Sequence, residues 1–164
     1  MKKNSRSRRV RGDLNIAVLK SFRVIYGSVR HQFREVERTC GISGSQLWIL
    51  HELNTASGIG VSELAAKLAI HQSTCSQLVD KLVRAGLVTK DRQAQDQRRV
   101  ELAVSARGKR TLTRAPGPAE GVLTEAIAEL TAKEVNALLH SLRQVIAALD
   151  MKDEGAAGTP LADL

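Results

Sequence analysis

The residue types that most often carry catalysis are scattered along this chain. His31, His51, His71 and His140 show no HExxH or comparable ligand spacing, so each reads as a surface or packing residue. Cys40 and Cys75 stand far apart without CxxC spacing and imply neither a disulfide framework nor a zinc site. There is no Walker loop and no GxGxxG, and GISGSQ at 41–46 lacks the preceding strand that a nucleotide loop or nucleophile elbow requires. No catalytic residue, metal or cofactor is expected. The concentrated chemistry is cationic. In KDRQAQDQRRVELAVSARGK, residues 90–109, Arg92, Arg98 and Arg99 crowd one loop with only Asp91 and Asp96 among them. Guanidinium groups at such a tip suit the electronegative narrow groove of a duplex. Asp96, two residues before Arg98, is spaced to fix that guanidinium by a charge-assisted bond.

The loop must be held by something. Val100, Leu102 and Val104 alternate with Glu101 and Ala103, the period of a half-buried strand, and Leu87, Val88 and Thr89 can form its partner. A hairpin follows. Immediately before it lies HQSTCSQLVDKLVRAG, in which Cys75, Leu78, Val79 and Leu82 fall on one helical face while Ser73, Gln77, Asp80, Lys81 and Arg84 point away. Its N-terminal half carries small hydroxyl and amide side chains that can approach a surface closely and bond base edges or phosphates. A short helix precedes it, with Ser62 as cap, Glu63 in the first turn and Leu64, Ala65 and Leu68 as its apolar side. Two short helices in tandem followed by a basic hairpin make a helix-turn-helix with a wing.

Upstream, Leu14, Val18, Phe22, Ile25, Val29, Phe33 and Val36 mark one stripe of a long helix from about 13 to 39. Ser43 and Gln46 have capping-box spacing and open a helix with Leu47, Leu50 and Leu53. Downstream, APGPAEG at 115–121 predicts a kink or break, because Pro116 and Pro118 lack amide donors and clash with the preceding turn. Thr131 and Glu134 form another capping box, opening a last helix with an apolar stripe, from Val135 to Leu149, too broad for one neighbouring helix. Burial against a second chain would cover it; an intrachain bundle is the alternative.

With 164 residues the chain suits one domain of ordinary size. Its net charge of +8 and pI near 10.0 favour a polyanionic partner or an anionic membrane surface. No apolar run reaches a membrane span, and MKKNSRSRRVRGD lacks a signal-peptide core, so a soluble cytoplasmic protein is expected.

The run DQRRVELAVSARG resembles the wing signature of the MarR transcriptional regulators, Asp-x-Arg, a strand, then Leu-Thr-x-x-Gly opening a helix: Asp96, Arg98, Val104-Ser105 and Gly108 fall at the matching spacing. VSELAAKLAIHQSTCSQLVDKLVRAGLV is similar to the same family's helix 3 and recognition helix, and the resemblance runs from about 13 to 150. It implies a mainly α fold with a small β-hairpin wing: a winged helix-turn-helix with N- and C-terminal dimerisation helices. The expected divisions are a flexible basic arm (1–12), dimerisation helix 1 (13–42), the DNA-binding region (43–108), C-terminal dimerisation helices (109–150) and a flexible tail (151–164). By the same resemblance the partners are double-stranded DNA and a second copy. Ser73, Thr74, Ser76 and Gln77 would face the major groove and Arg98 the minor groove, while Ser62 and Lys81 could reach phosphates. Arg92 and Arg99 add charge at the wing tip.

Gln77 departs from the Arg common there in the family, which suits adenine better than guanine. The family also implies a small aromatic or phenolic anion bound between dimer base and DNA-binding lobe, for which Arg30, Trp48 and His51 are the candidates, although Trp48 also reads as core. Cys75 reads as buried and inert, and Cys40 as a loop thiol. The function expected is a sequence-specific repressor on a pseudo-palindromic operator. The competing classes are a non-specific architectural nucleic-acid binder, which the basic N-terminus also suits, and a protein-interaction module that retains the winged fold.

Overall fold

The structure is a computed structural model that describes the backbone of residues 2–56, 58–92 and 100–164 and the side chains of 11–56, 58–90 and 101–164. The chain runs α1 (Lys2–Cys40), α2 (Gly44–Thr55), α3 (Val61–Leu68), α4 (Gln72–Arg84), β1 (Val88–Arg92), β2 (Val100–Val104), α5 (Ala106–Arg114), α6 (Val122–Ala128) and α7 (Ala132–Ala147).

Helix α1 starts at Lys2 rather than at 13, which corrects the expected flexible arm. A helix already nucleated extends cheaply through Lys and Arg without Pro, and needs no apolar surface to do so. Its other end stops where Gly41 turns left-handed at φ +69° and donates its amide to Glu37 O at 2.9 Å, a glycine stop. Cys40 is therefore the last helical residue and half-buried, not a loop thiol. Of the apolar stripe on α1, Val29 and Val36 are buried and Phe33 half-buried, whereas Leu14 to Ile25 stay exposed.

The expected capping boxes form at both sites. Gln46 N–H donates to Ser43 Oγ and Ser43 N–H to Gln46 Oε1; Thr131 and Glu134 repeat the exchange at α7. Ser62 does not cap: α3 begins two residues earlier than expected, at Val61 with Gly60 in the cap position, and Ser62 is an exposed second helical residue. Gly60 reaches the extended cap conformation without side-chain help.

One apolar core joins α2, α3, α4 and the hairpin, with Leu47, Leu50, Leu64, Val79, Leu82 and Leu102 among its innermost side chains. The strands pair antiparallel, Val88 opposite Val104 and Lys90 opposite Leu102. Leu102 and Val88 are buried while Thr89 is exposed, so the hairpin seals the core with one face.

The break after α5 is real: Arg114 ends one helix and Val122 begins the next. Gln32, 8% exposed, spans it from α1, donating through Nε2 to Pro118 O and accepting Val122 N–H, each over 2.8 Å. The tail is not the loose segment expected for 151–164. It forms two short 3-10 turns, Glu154–Gly158 and Leu161–Asp163, with Pro160 buried between them. Pro160, Leu161 and Ala162 line a cleft beside α1 and α2, which their sparse spacing in sequence does not advertise.

Candidate nucleic-acid interface and crevice

The exposed end of α4 is built by the opposite side of the same helix. Cys75, Leu78, Val79 and Leu82 are all buried, so rotation about the helix axis is fixed and the remaining side chains have only solvent to face. Ser73, Gln77 and Lys81 are exposed; Thr74 and Ser76 are partly covered. There is no acid in the first turn of α4, leaving the positive end of the helix dipole free to meet an anion. Ser62 lies exposed on α3. Asp80, one turn beyond Gln77, is neutralised by Lys90 Nζ at 2.6 Å, and that ammonium holds its carboxyl below the ordinary range. The pair also ties the first wing strand to α4.

The wing is anchored at its base. Ser105 caps α5 by accepting Gly108 N–H at 3.0 Å, donates its hydroxyl to Gly86 O at 2.8 Å and its amide to Leu87 O at 3.0 Å. Arg107 Nη1 donates to Ala85 O at 3.0 Å. Gly108 has no space for a side chain, since a Cβ there would lie 2.3 Å from Leu87 O. Arg92 ends β1, and its side chain, with all of Asp96, Arg98 and Arg99, lies outside the described residues. The strands on either side carry the loop at the end of the hairpin remote from this anchor.

A crevice of about 520 Å³, open mouth included, separates α1 from α2 and the segment after the break. Phe33, Val36 and Leu47 give it apolar walls, and Trp48 lines it too. Trp48 Nε1 donates to Glu52 Oε1 at 3.3 Å, and Glu52 is itself held by Lys67 at 2.7 Å. His51 is not in the wall but faces Glu120, which is, at 3.4 Å. Arg30 does not reach the crevice; its guanidinium lies over the Tyr26 ring, 5.5 Å from the centroid. The structure thus unites Trp48 and His51 around one edge and leaves Arg30 out. Two lining residues escaped sequence reading. Gln32 breaks the apolar stripe of α1 and is the one signal that was legible. Ser45 is buried, and its Oγ has no hydrogen-bond partner among the described residues.

Among the described residues no group of three or more His, Cys, Asp or Glu could hold a metal ion, and no helix is long and apolar enough to cross a membrane. Cys75 is enclosed, and burial pushes its thiol up to about 11. Burial raises Cys40 as well, against the pull of the Arg114 charge.

Fold, exposed polar helix face and adjoining hairpin define a winged helix-turn-helix protein. Residues 41–99 match the model of the MarR family. Among solved structures it is similar in fold to Sco3205, a MarR family transcriptional regulator from Streptomyces coelicolor in complex with DNA (22% identity, 86% of this chain and 90% of that one, TM-score 0.59). It is also similar to the transcriptional regulator BldR from Sulfolobus solfataricus (22%, 84% and 97%, TM-score 0.52) and to a mutant MarR from E. coli complexed with operator DNA (22%, 79% and 96%, TM-score 0.51). No curated protein matches the sequence.

Proposed function

We propose that the protein is a cytoplasmic homodimeric repressor that binds a pseudo-palindromic operator. The observation that carries this reading is the exposed Ser73–Gln77–Lys81 face of α4, set by a fully buried opposite face and flanked by the wing. Ser73, Thr74, Ser76 and Gln77 read base edges in the major groove, with Gln77 preferring adenine. Ser62 and Lys81 contact phosphates. Arg98, oriented by Asp96, enters the minor groove, with Arg92 and Arg99 adding phosphate attraction beside it.

The dimer is supported by apolar side chains that the single chain leaves uncovered, from Leu14 (61% exposed) and Val24 (68%) on α1 to Ile146 (53%) on α7. Among the described residues none of α7 is buried. Packing α1 and α7 against a second copy sets two reading heads in successive major grooves.

The effector that suits the crevice is a small aromatic molecule, against Phe33 and Trp48, with a hydroxyl for Ser45 Oγ, which has no partner among the described residues. Glu120 is the one charged side chain in the lining, so a neutral phenol suits it better than the corresponding anion.

In vitro selection from a random duplex library, followed by footprinting, tests the reading. The expected result is symmetric protection of two half-sites about one helical turn apart, with Gln77→Ala losing preference at one base pair per half-site and Arg98→Ala weakening binding strongly. Selection of no sequence, with random and enriched duplexes bound alike, would instead favour an architectural binder.

A further inference from the structure

The C-terminal segment connects two places that the helices leave apart. At one end, Gly158 O accepts the N–H of His71 at 3.0 Å. His71 is the N-cap of α4 and closes the turn between α3 and α4, yet its own side chain makes no cap hydrogen bond. The imidazole of His71 instead lies against Gly158, where a Cβ would come within 2.3 Å of Nε2. At the other end Pro160 is buried, and Pro160, Leu161 and Ala162 form one wall of the crevice. Ala162 sits at Gly44, whose missing Cβ also admits the Phe33 ring. Five residues therefore span from the start of the reading helix to the α1–α2 cleft, with an anchor at each end.

We propose that residues 153–163 are a positioning strap that holds the helix-turn-helix turn, and so the N-terminus of α4, in reading register. The turn needs such a hold. Ala69 occupies the left-handed region at φ +52°, a costly conformation for a residue with a Cβ, and among the first five residues of α4 only Cys75 is buried. A donor at the start of α4 is satisfied by a carbonyl that belongs to neither helix. Because the same strap walls the crevice, whatever displaces Pro160–Ala162 also slackens the grip on His71. The negative charge of its carboxylates, Asp153, Glu154 and Asp163, is not needed for this role; Asp153 Oδ1 caps the first turn by accepting Ala156 N–H at 3.3 Å, which an asparagine oxygen can do as well.

The proposal rests on the DNA-binding reading only for its second readout. The first is amide hydrogen exchange of the DNA-free protein. Deleting residues 156–164 removes both anchors; Ala162→Glu unseats the far end while leaving Gly158 in the chain. Both are expected to speed exchange of residues 70–75 by about fivefold, the worth of one ordinary backbone hydrogen bond, while the amides of α2 stay slow. The second readout is the ratio of affinities for the duplex selected by the full-length protein and a random duplex of the same length, at fixed salt. That ratio is expected to fall by about the same factor in both variants and to hold in Asp153→Asn/Glu154→Gln, which removes charge and keeps the strap. Unchanged exchange at 70–75, or faster exchange with an unchanged ratio, would overturn the proposal. A ratio that fell as far on removing the charges alone would do so too. If the full-length protein selects no duplex, the DNA-binding reading fails and the exchange experiment still decides the strap.

Discussion

Gln32 and Val122 are joined across the helix break: the Val122 amide donates to Gln32 Oε1 over 2.8 Å, and the same side chain donates through Nε2 to Pro118 O. A single buried amide thus satisfies both sides of the interruption between the winged helix-turn-helix lobe and the C-terminal helices.

Gln32→Leu leaves Val122 N–H and Pro118 C=O without that partner and is expected to cost about 1–3 kcal/mol. Gln32→Glu keeps an acceptor for Val122 but turns a buried carboxylate toward Pro118 O, and should cost at least as much near neutrality and less once acid protonates it into a donor. Urea midpoints measured at one protein concentration check both, since a dimer's midpoint shifts with concentration. Equal midpoints for wild type and Gln32→Leu would remove the bridge from the account.

Gly108 tests the anchoring of the wing. The atoms in the way of a Cβ are Leu87 O, which is backbone, and Val104 Cγ1 at 2.7 Å, so no flexible side chain can swing aside. Gly108→Ala is expected to destabilise by about 1–3 kcal/mol or more. Exchange should rise first at Gly86, Leu87 and Ser105.

Acid should loosen the wing. Hydrogen bonding to Lys90 and its charge lower the Asp80 pKa in the folded state. The stability this pair adds is therefore fully present above the unfolded value of about 3.9 and is lost as pH falls through the lower folded value. Glu35 and Glu134 are lowered in the same sense, by Arg38 and by Thr131. The pair is exposed, so the effect is small and weakens with salt. Asp80→Asn should flatten the acid limb of a stability-against-pH curve; an unaltered slope would contradict the assignment.

Thiol chemistry should separate the two cysteines. With its thiol raised to about 11 by burial, Cys75 stays protonated near neutrality and should alkylate only through local opening, more slowly than half-buried Cys40. Cys75→Ser would bury a hydroxyl in an apolar core at a cost of about 1–3 kcal/mol. Faster modification of Cys75 than of Cys40 in native protein would show that α4 is not seated as described.

Much of the winged helix-turn-helix was legible because its signals are local. The alternation around Leu102, the buried face of α4, both capping boxes and the proline break follow from spacing over fewer than a dozen residues, and the structure forms each of them. Local reasoning failed where the deciding partner was distant or composition misled. Residues 2–12 looked too polar to order, yet Lys and Arg extend a helix that is already running. Ser62 had the right chemistry for a cap, but the helix started at Val61. Arg30 shared a helix with the crevice wall but was captured by Tyr26.

Periodicity and charge by themselves determined the order of the helices, the hairpin, and which face of α4 meets water, because these depend on each segment's own apolar pattern. Only the folded chain decided that Gln32 bridges the break, that Ser45 is buried without a hydrogen-bond partner among the described residues, and that the tail crosses from the crevice to His71. Those contacts join residues far apart in sequence through backbone groups and small side chains, whose pairing leaves no period to read.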